Sequence, residues 1–368
     1  MTRHAPVSRR LVVRGLGTGF AAAASPLLGA PPVSAGPAAR RATVRARRRF
    51  FGEVNVHPVT GAVRRDRVIL SWFGCTSFAV AMNGTVLLLD AWVPRGQHSG
   101  YVPTDPDEVA ALAPAAILIG HGHFDHAADA AAIAGGSRAV VVGTAEHCAQ
   151  AQQQAGGTRL RARRLGSADT RPGTIHRFRV GGIGVTAVRH LHSAPSAPDL
   201  EDPHTPLVPP PDPSSVLAHP PTPEDALETI SHLPDEEGGC LLYQLRMPGF
   251  RLAWNDSAGP LKDQAPEVLD VLRSLPRSDV HVGTIQGFNQ PVNGLRDPRM
   301  YVEAMRAPVF VPCHHDDWGA PGVSTNGSHY EEPLRAELAR IPERRRPRVR
   351  FLTDPEDYLR PGRLTFRV

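Results

Sequence analysis

Three histidines and an aspartate fall within six residues, His121-Gly122-His123-Phe124-Asp125-His126. Imidazole and carboxylate are the donors that zinc and similar divalent ions take. His121 and His123, two apart on an extended segment, point to one side and can share an ion. Asp125 and His126 follow at the start of a predicted helix and turn towards a second ion. Gly120 and Gly122 keep the backbone free of side chains where it must bend sharply. The same residue types recur where other apolar runs stop: Asp90, the pair His190 and His192, Asp256, and the pair His314 and His315. A single His or Asp at a strand end means little, because both residues favour turns. Five such ends in one chain point to one convergent site.

The elements that must position these residues read as strand hairpins. Val68–Trp72 and Ser77–Met82 are predicted strands, and Asn83-Gly84 is a two-residue hairpin turn leading into Thr85–Leu89 and then Asp90. A helix starts near Asp105, with Pro106 in its first turn. Ala115–Ile119 is a short buried strand running into His121. Ala127–Ala134 is helical and Ala139–Val142 is another buried strand. A second hairpin runs through Ile175–Val180 and Ile183–Arg189 to His190-Leu191-His192. A third, Leu241–Leu245 and Phe250–Trp254, ends at Asn255-Asp256. Val280–Ile285 precedes Gln286-Gly287-Phe288-Asn289, and Pro308–Val311 stops just before His314.

The segment H-x-H-x-D-H after a strand resembles the signature of the metallo-β-lactamase-fold hydrolase superfamily. Gly74-Cys75-Thr76-Ser77-Phe78, with Leu87-Leu88-Leu89-Asp90 after it, resembles the L-ascorbate-6-phosphate lactonase-like and N-acyl-phosphatidylethanolamine phospholipase D-like branch. The resemblance covers about Val68 to Thr353 and implies an α/β fold, a four-layer αββα sandwich. It implies two divalent ions, zinc first and manganese as the other candidate. His121, His123 and His192 would hold one ion. Asp125, His126 and His314 would hold the second, and Asp256 would bridge both. His192 is preferred to His190 because the family's ligand stands directly before Ser193, and Pro312-Cys313-His314 selects His314 over His315. Asp90 would orient a ligand histidine. Asn255 stands where the family usually has Gly.

Such a pair of ions would activate a water as a hydroxide nucleophile and polarise a scissile carbonyl or phosphoryl oxygen. Asp125 is the catalytic candidate, as ligand and as acceptor of the water's proton. The resemblance implies hydrolysis of an ester, lactone or phosphodiester in a small molecule or lipid. An iron-dependent oxidoreductase of the same fold and a non-catalytic metal-binding protein are the alternatives. Gln286, Phe288, Asn289, Trp318, Asn326 and His329 are candidates for the pocket rim. Cys75, Cys148, Cys240 and Cys313 stand alone, with no CxxC pair, and read as core residues.

The charge is unevenly placed. Ten of the 41 basic residues lie in residues 1–49, where there is no acid, so a formal +5 becomes −5 from Phe50 onward. Nothing in that body calls for a nucleic-acid partner. Ser8-Arg9-Arg10-Leu11-Val12-Val13-Arg14 resembles a twin-arginine export signal, followed by a mild apolar stretch and the small-residue site Val33-Ser34-Ala35. The expected division is a signal over 1–35, a basic linker over 36–66 and one domain over 67–368. The twin-arginine translocase is then a partner, and the destination is secreted, periplasmic or at the cell envelope. Within the domain, Ser193 to Glu237 holds twelve prolines and ten acids with no Lys or Arg. It reads as a long insertion or lid with a short helix near Pro223–His232. Its negative field would repel polyanions.

Overall fold

The computed structural model describes residues 36–94, 101–208, 210, 214–316 and 327–368. Its frame is two seven-stranded sheets. In chain order the first receives β1 Arg67–Trp72, β2 Phe78–Met82, β3 Thr85–Leu89, β4 Ala116–Leu118, β5 Val140–Gly143 and β6 Arg161–Arg164. The second receives β7 Ile175–Val180, β8 Ile183–His190, β9 Cys240–Met247, β10 Phe250–Asn255, β11 Val280–Thr284, β12 Val309–Cys313 and β13 Arg348–Val349. The last strand, β14 Thr365–Arg367, returns to pair with β1 in the first sheet.

Each sheet is antiparallel in one half and parallel in the other. The orders are β14-β1-β2-β3-β4-β5-β6 and β13-β12-β11-β10-β9-β8-β7. The antiparallel halves come from the tight turns read in the sequence. Phe78 pairs with Leu89 and Met82 with Thr85 around Asn83-Gly84, both left-handed as that turn requires. The parallel strands β4, β5, β11 and β12 are buried throughout, which explains their unbroken apolar runs. Residues of both sheets share one continuous core, from Leu70, Val80 and Leu88 to Tyr243, Trp254 and Val282. Helices cover the outer faces. Val268, Leu269 and Leu272 of the helix Pro266–Ser274 pack with Tyr301 and Met305 of the helix Arg296–Met305 against the second sheet. The four-layer αββα expectation holds. Among the described residues no helix is long and apolar enough to cross a membrane.

Two parts differ from expectation. The signal segment lies outside the described residues, but the basic linker does not behave as one. Pro37–Phe51 is an α-helix that buries Ala46, Phe50 and Phe51. Phe50 meets Phe73 edge-on, and Arg47 donates to the carbonyls of Leu112 and Gly61. Arginine-rich composition hid a helix whose aromatic end packs into the core and whose Arg47 guanidinium is held by backbone carbonyls.

The proline-rich insertion is likewise not a free loop. The helix Pro223–His232 forms where expected, with Thr222 and Asp225 as a reciprocal cap. Upstream, Asp199 pairs with Lys262 and the buried Arg296, while Asp202 pairs with Arg299 and Arg340. His204 lies 3.1 Å from Glu337. Asp199 and Asp202 thus strap this end of the insertion to Lys262, Arg296, Arg299 and Arg340.

Candidate metal centre

The strand ends do converge. β4 runs into Gly120, and the chain then turns through His121 and His123 into the short helix Phe124–Ala127, which carries Asp125 and His126. The turn is crowded from two sides. A β-carbon at residue 122 would stand 2.3 Å from the carbonyl of Glu236, where the end of the insertion crosses. Gly122 N–H donates to the Glu237 carbonyl at 2.8 Å, and the Gln150 amide donates to the Gly122 carbonyl at 2.7 Å. Glycine is therefore required by close approach at this point.

Two donor sets result. In the first, His121 Nε2 and His123 Nδ1 are 3.1 Å apart, and the His192 ring lies 4.7 and 4.8 Å from theirs. In the second, Asp125 Oδ2 is 3.3 Å from His126 Nε2 and 3.3 Å from His314 Nε2. Two donors on one tetrahedral ion with bonds of about 2.0–2.1 Å are separated by about 3.3 Å. Each set therefore contains donor atoms at the spacing one ion takes, with the remaining donors within 4.8 Å.

The members of each pair lie apart in the structure. β8 ends at His190, so the alternation of sides breaks at Leu191. His190 is fully buried with Nδ1 2.9 Å from the Tyr301 hydroxyl, while His192 faces His121 and His123. The two histidines do not share a side, although residues two apart on a continuing strand would. His314 has a left-handed backbone, φ 59°, which sends it and His315 in opposite directions. His315 reaches the Leu352 carbonyl at 2.8 Å between Trp72 and Phe351, away from the donors.

Asp256 is brought to the same place in a more particular way. Its Oδ2 lies 2.7 Å from His121 Nδ1 and 3.4 Å from His126 Nδ1, so it stands between the two sets on the Nδ1 side of both rings. Its Oδ1 is buried with no hydrogen-bond partner among the described residues. A buried carboxylate oxygen without a partner is costly unless a cation meets it.

Partners behind the donors set their direction. Asp90 accepts from Gly120 N–H at 2.9 Å and from the Thr76 hydroxyl at 2.6 Å, and its Oδ2 is 2.7 Å from His126 Nδ1. It thereby leaves His126 Nε2 facing Asp125. Gln286 Oε1 does the same for His314, 3.1 Å from Nδ1. Burial, with Asp256 nearby, pushes the Asp90 carboxyl up to about 7. Burial also disfavours charge at His126, yet Asp125 and Asp90 overcome it and hold the imidazole well above its ordinary value. Burial works against ionised Asp125 too, but His126 and His314 hold it well below the carboxylate range. Asp90, Asp125 and Asp256 are all buried, and the pocket's chemistry calls for positive charge.

Of the rim candidates, Phe288 is exposed with its ring 6.0 Å from that of His192. Asn289 instead bonds Ser196 and Asp297 and serves the strap. His329 is exposed in the turn Gly327–Tyr330. Trp318 and Asn326 lie outside the described residues. Sequence reasoning missed two residues. Cys75, read as core, has its sulfur 4.0 Å from Asp125 Oδ2. Asp316 accepts the Cys75 N–H at 2.9 Å. No local spacing could signal either contact.

Comparisons with known proteins agree with this geometry. Residues 69–208 match the family model described as a beta-lactamase superfamily domain. The chain is 43% identical over 75 residues to a UPF0173 metal-dependent hydrolase of Pyrobaculum neutrophilum, covering 20% of this chain and 32% of that protein. It is 38% identical over 72 residues to a UPF0173 metal-dependent hydrolase of Roseobacter denitrificans, covering 20% and 30%. The chain thus spans about a third of the length of these curated relatives. A novel metallo hydrolase from the hyperthermophilic archaeon Ignicoccus hospitalis shares the fold, with a TM-score of 0.51 at 15% identity over 82% of this chain and 99% of that one. Residues 69–208 thus resemble a beta-lactamase superfamily domain, and the two-sheet fold is shared with a metallo hydrolase.

Proposed function

We propose that the chain is an exported, dinuclear metal-dependent hydrolase that cleaves an ester, lactone or phosphodiester of a small molecule or lipid. The observation that carries this reading is the pair of adjoining donor sets with internal spacings of 3.1 and 3.3 Å. The relatives' printed descriptions as metal-dependent hydrolases support the reaction class. Two divalent ions, zinc first, would polarise a carbonyl or phosphoryl oxygen and bring the pKa of water towards neutrality.

The chain's own residues do the remaining work. His121, His123 and His192 hold one ion, and Asp125, His126 and His314 hold the other. Asp256, whose Oδ1 is unpartnered, would be the shared ligand, turning from the Nδ1 side of the His121 and His126 rings towards the ions. Asp90 and Gln286 hold His126 and His314 in the tautomers that present Nε2. Asp125, kept ionised, orients the attacking water and takes its proton. The insertion's acids favour a small or lipid substrate over a nucleic acid. Ser8-Arg9-Arg10 supports export through the twin-arginine translocase to a secreted, periplasmic or cell-envelope location. An Arg9→Lys, Arg10→Lys double variant should then accumulate inside the cell.

Metal analysis joined to a screen of ester, lactone and phosphodiester substrates tests the reading. Asp256→Ala should lower the occupancy of both ions, and Asp125→Asn should abolish turnover. One ion per chain, unchanged in Asp256→Ala, would contradict it.

A further inference from the structure

The second donor set holds more than the three ligands assigned above. Cys75 Sγ, a carboxylate oxygen of Asp125 and one ring nitrogen each of His126 and His314 all lie within 4.8 Å of one another. Cys75 is fully buried on the turn between β1 and β2, so three separate stretches of chain deliver these four donors to one point. The cysteine is held there from both sides. Its N–H donates to both Asp316 carboxylate oxygens, at 3.1 and 2.9 Å, and Tyr358 donates its hydroxyl to the same carboxylate. Its carbonyl accepts from Trp72 Nε1 at 3.0 Å and from His314 N–H at 3.2 Å. The last contact ties the cysteine's backbone directly to that of a ligand histidine. Asp256, with Oδ2 3.4 Å from His126 Nδ1, has its other oxygen buried and unpartnered, which calls for a cation in this centre.

From this geometry we infer that Cys75 is a fourth protein donor to the ion held by Asp125, His126 and His314. The inference rests on the dinuclear reading and divides the labour within it. A thiolate with two imidazoles and a carboxylate suits zinc or cobalt and disfavours manganese, which prefers oxygen donors. With Asp256 shared by both ions, Cys75 gives this position five protein donors against four at the three-histidine position, which makes it the more closed one. The three-histidine position keeps room for a further ligand, as catalytic zinc sites do. The exposed Phe288 ring, 6.0 Å from His192, flanks that open side. Substrate therefore meets the ion of His121, His123 and His192.

Cobalt(II) substitution tests this without reference to turnover. The wild-type chain loaded with two cobalt ions should show a thiolate-to-cobalt charge-transfer band in the near ultraviolet. Cys75→Ser should lose that band and bind its second ion at least about tenfold more weakly. Cys313→Ser, one residue from His314, should keep the band. X-ray absorption of the zinc-loaded wild type needs no variant and should show a sulfur scatterer at about 2.3 Å. Two bound cobalt ions without the band, or a band that survives in Cys75→Ser, overturn the proposal and leave the dinuclear reading standing. A chain that binds no cobalt overturns both.

Discussion

Gly120 lies against the Asp256 carboxylate: a β-carbon at residue 120 would stand 2.0 Å from Asp256 Cγ and 2.1 Å from its Oδ2. The end of β4 is thus fitted to the residue that stands between the two donor sets. Gly120→Ala must displace Asp256 from His121, because the backbone on both sides is anchored in the sheets. Overpacking of this kind costs about 1–3 kcal/mol. Thermal unfolding should report that loss, and metal analysis should find both ions depleted. A variant with wild-type metal content would show that Asp256 need not sit there.

His190 and His192 are predicted to part company on substitution. His192→Ala should weaken the first ion at least about tenfold, an estimate taken from losses at supporting residues. His190→Asn should keep both ions and lose about 1–3 kcal/mol of stability, through the contact with Tyr301. Metal content and urea unfolding of the two variants separate these outcomes. Metal loss in His190→Asn with retention in His192→Ala would reverse the assignment.

The pH dependence of stability has a defined sign. Burial pushes the His281 imidazole from 6.5 down to about 3, and His147 down to about 4. His281 keeps its Nε2–H on Asn255 Oδ1 at 2.6 Å and stays neutral when folded. In the unfolded chain both histidines return to the ordinary value. At these two groups the unfolded chain therefore binds more protons below pH 6.5, and their contribution to stability falls as pH drops from there towards the folded values. The loss approaches about 1.4 kcal/mol per pH unit for each group. Urea unfolding between about pH 7 and pH 5 should show a shallower decline in His281→Gln than in the wild type. Parallel declines would contradict the account.

Arg296 is fully buried among Asp263 at 2.5 Å, Asp297 at 2.9 Å and Asp199 at 3.3 Å. Removing one partner from a buried ionic cluster leaves charges uncompensated and costs about 3–5 kcal/mol. Arg296→Ala should lose that much in urea unfolding and should open residues 193–208 to protease. A change under about 1 kcal/mol would mean the strap holds by other contacts.

What was legible in the sequence follows from how local each signal is. Asn83-Gly84, Gly181-Gly182 and Pro248-Gly249 each sit at a hairpin turn of the structure. The Asp105 cap was equally local, and its side chain accepts from Glu108 N–H. The His-rich turn carried most of the site because six residues from Gly120 to His126 supply donors or room for them. Long-range contacts were not legible. Cys75 meets Asp125 across 50 residues and Asp316 across 241. β6, Arg161–Arg164, escaped notice because an exposed edge strand need not be apolar, and here Arg163 lies over the Phe178 ring. The helix Pro37–Phe51 was hidden by its arginines, although Phe50 and Phe51 are fully buried.

The central claim is that two ions held by these seven side chains carry hydrolysis. The most direct measurement follows turnover of an ester, lactone or phosphodiester found by screening while zinc is returned to chelator-stripped protein. The account predicts negligible turnover without metal and a rise that levels off at two ions per chain. Full turnover in the stripped protein, or none in any of the three substrate classes with two ions bound, would contradict it.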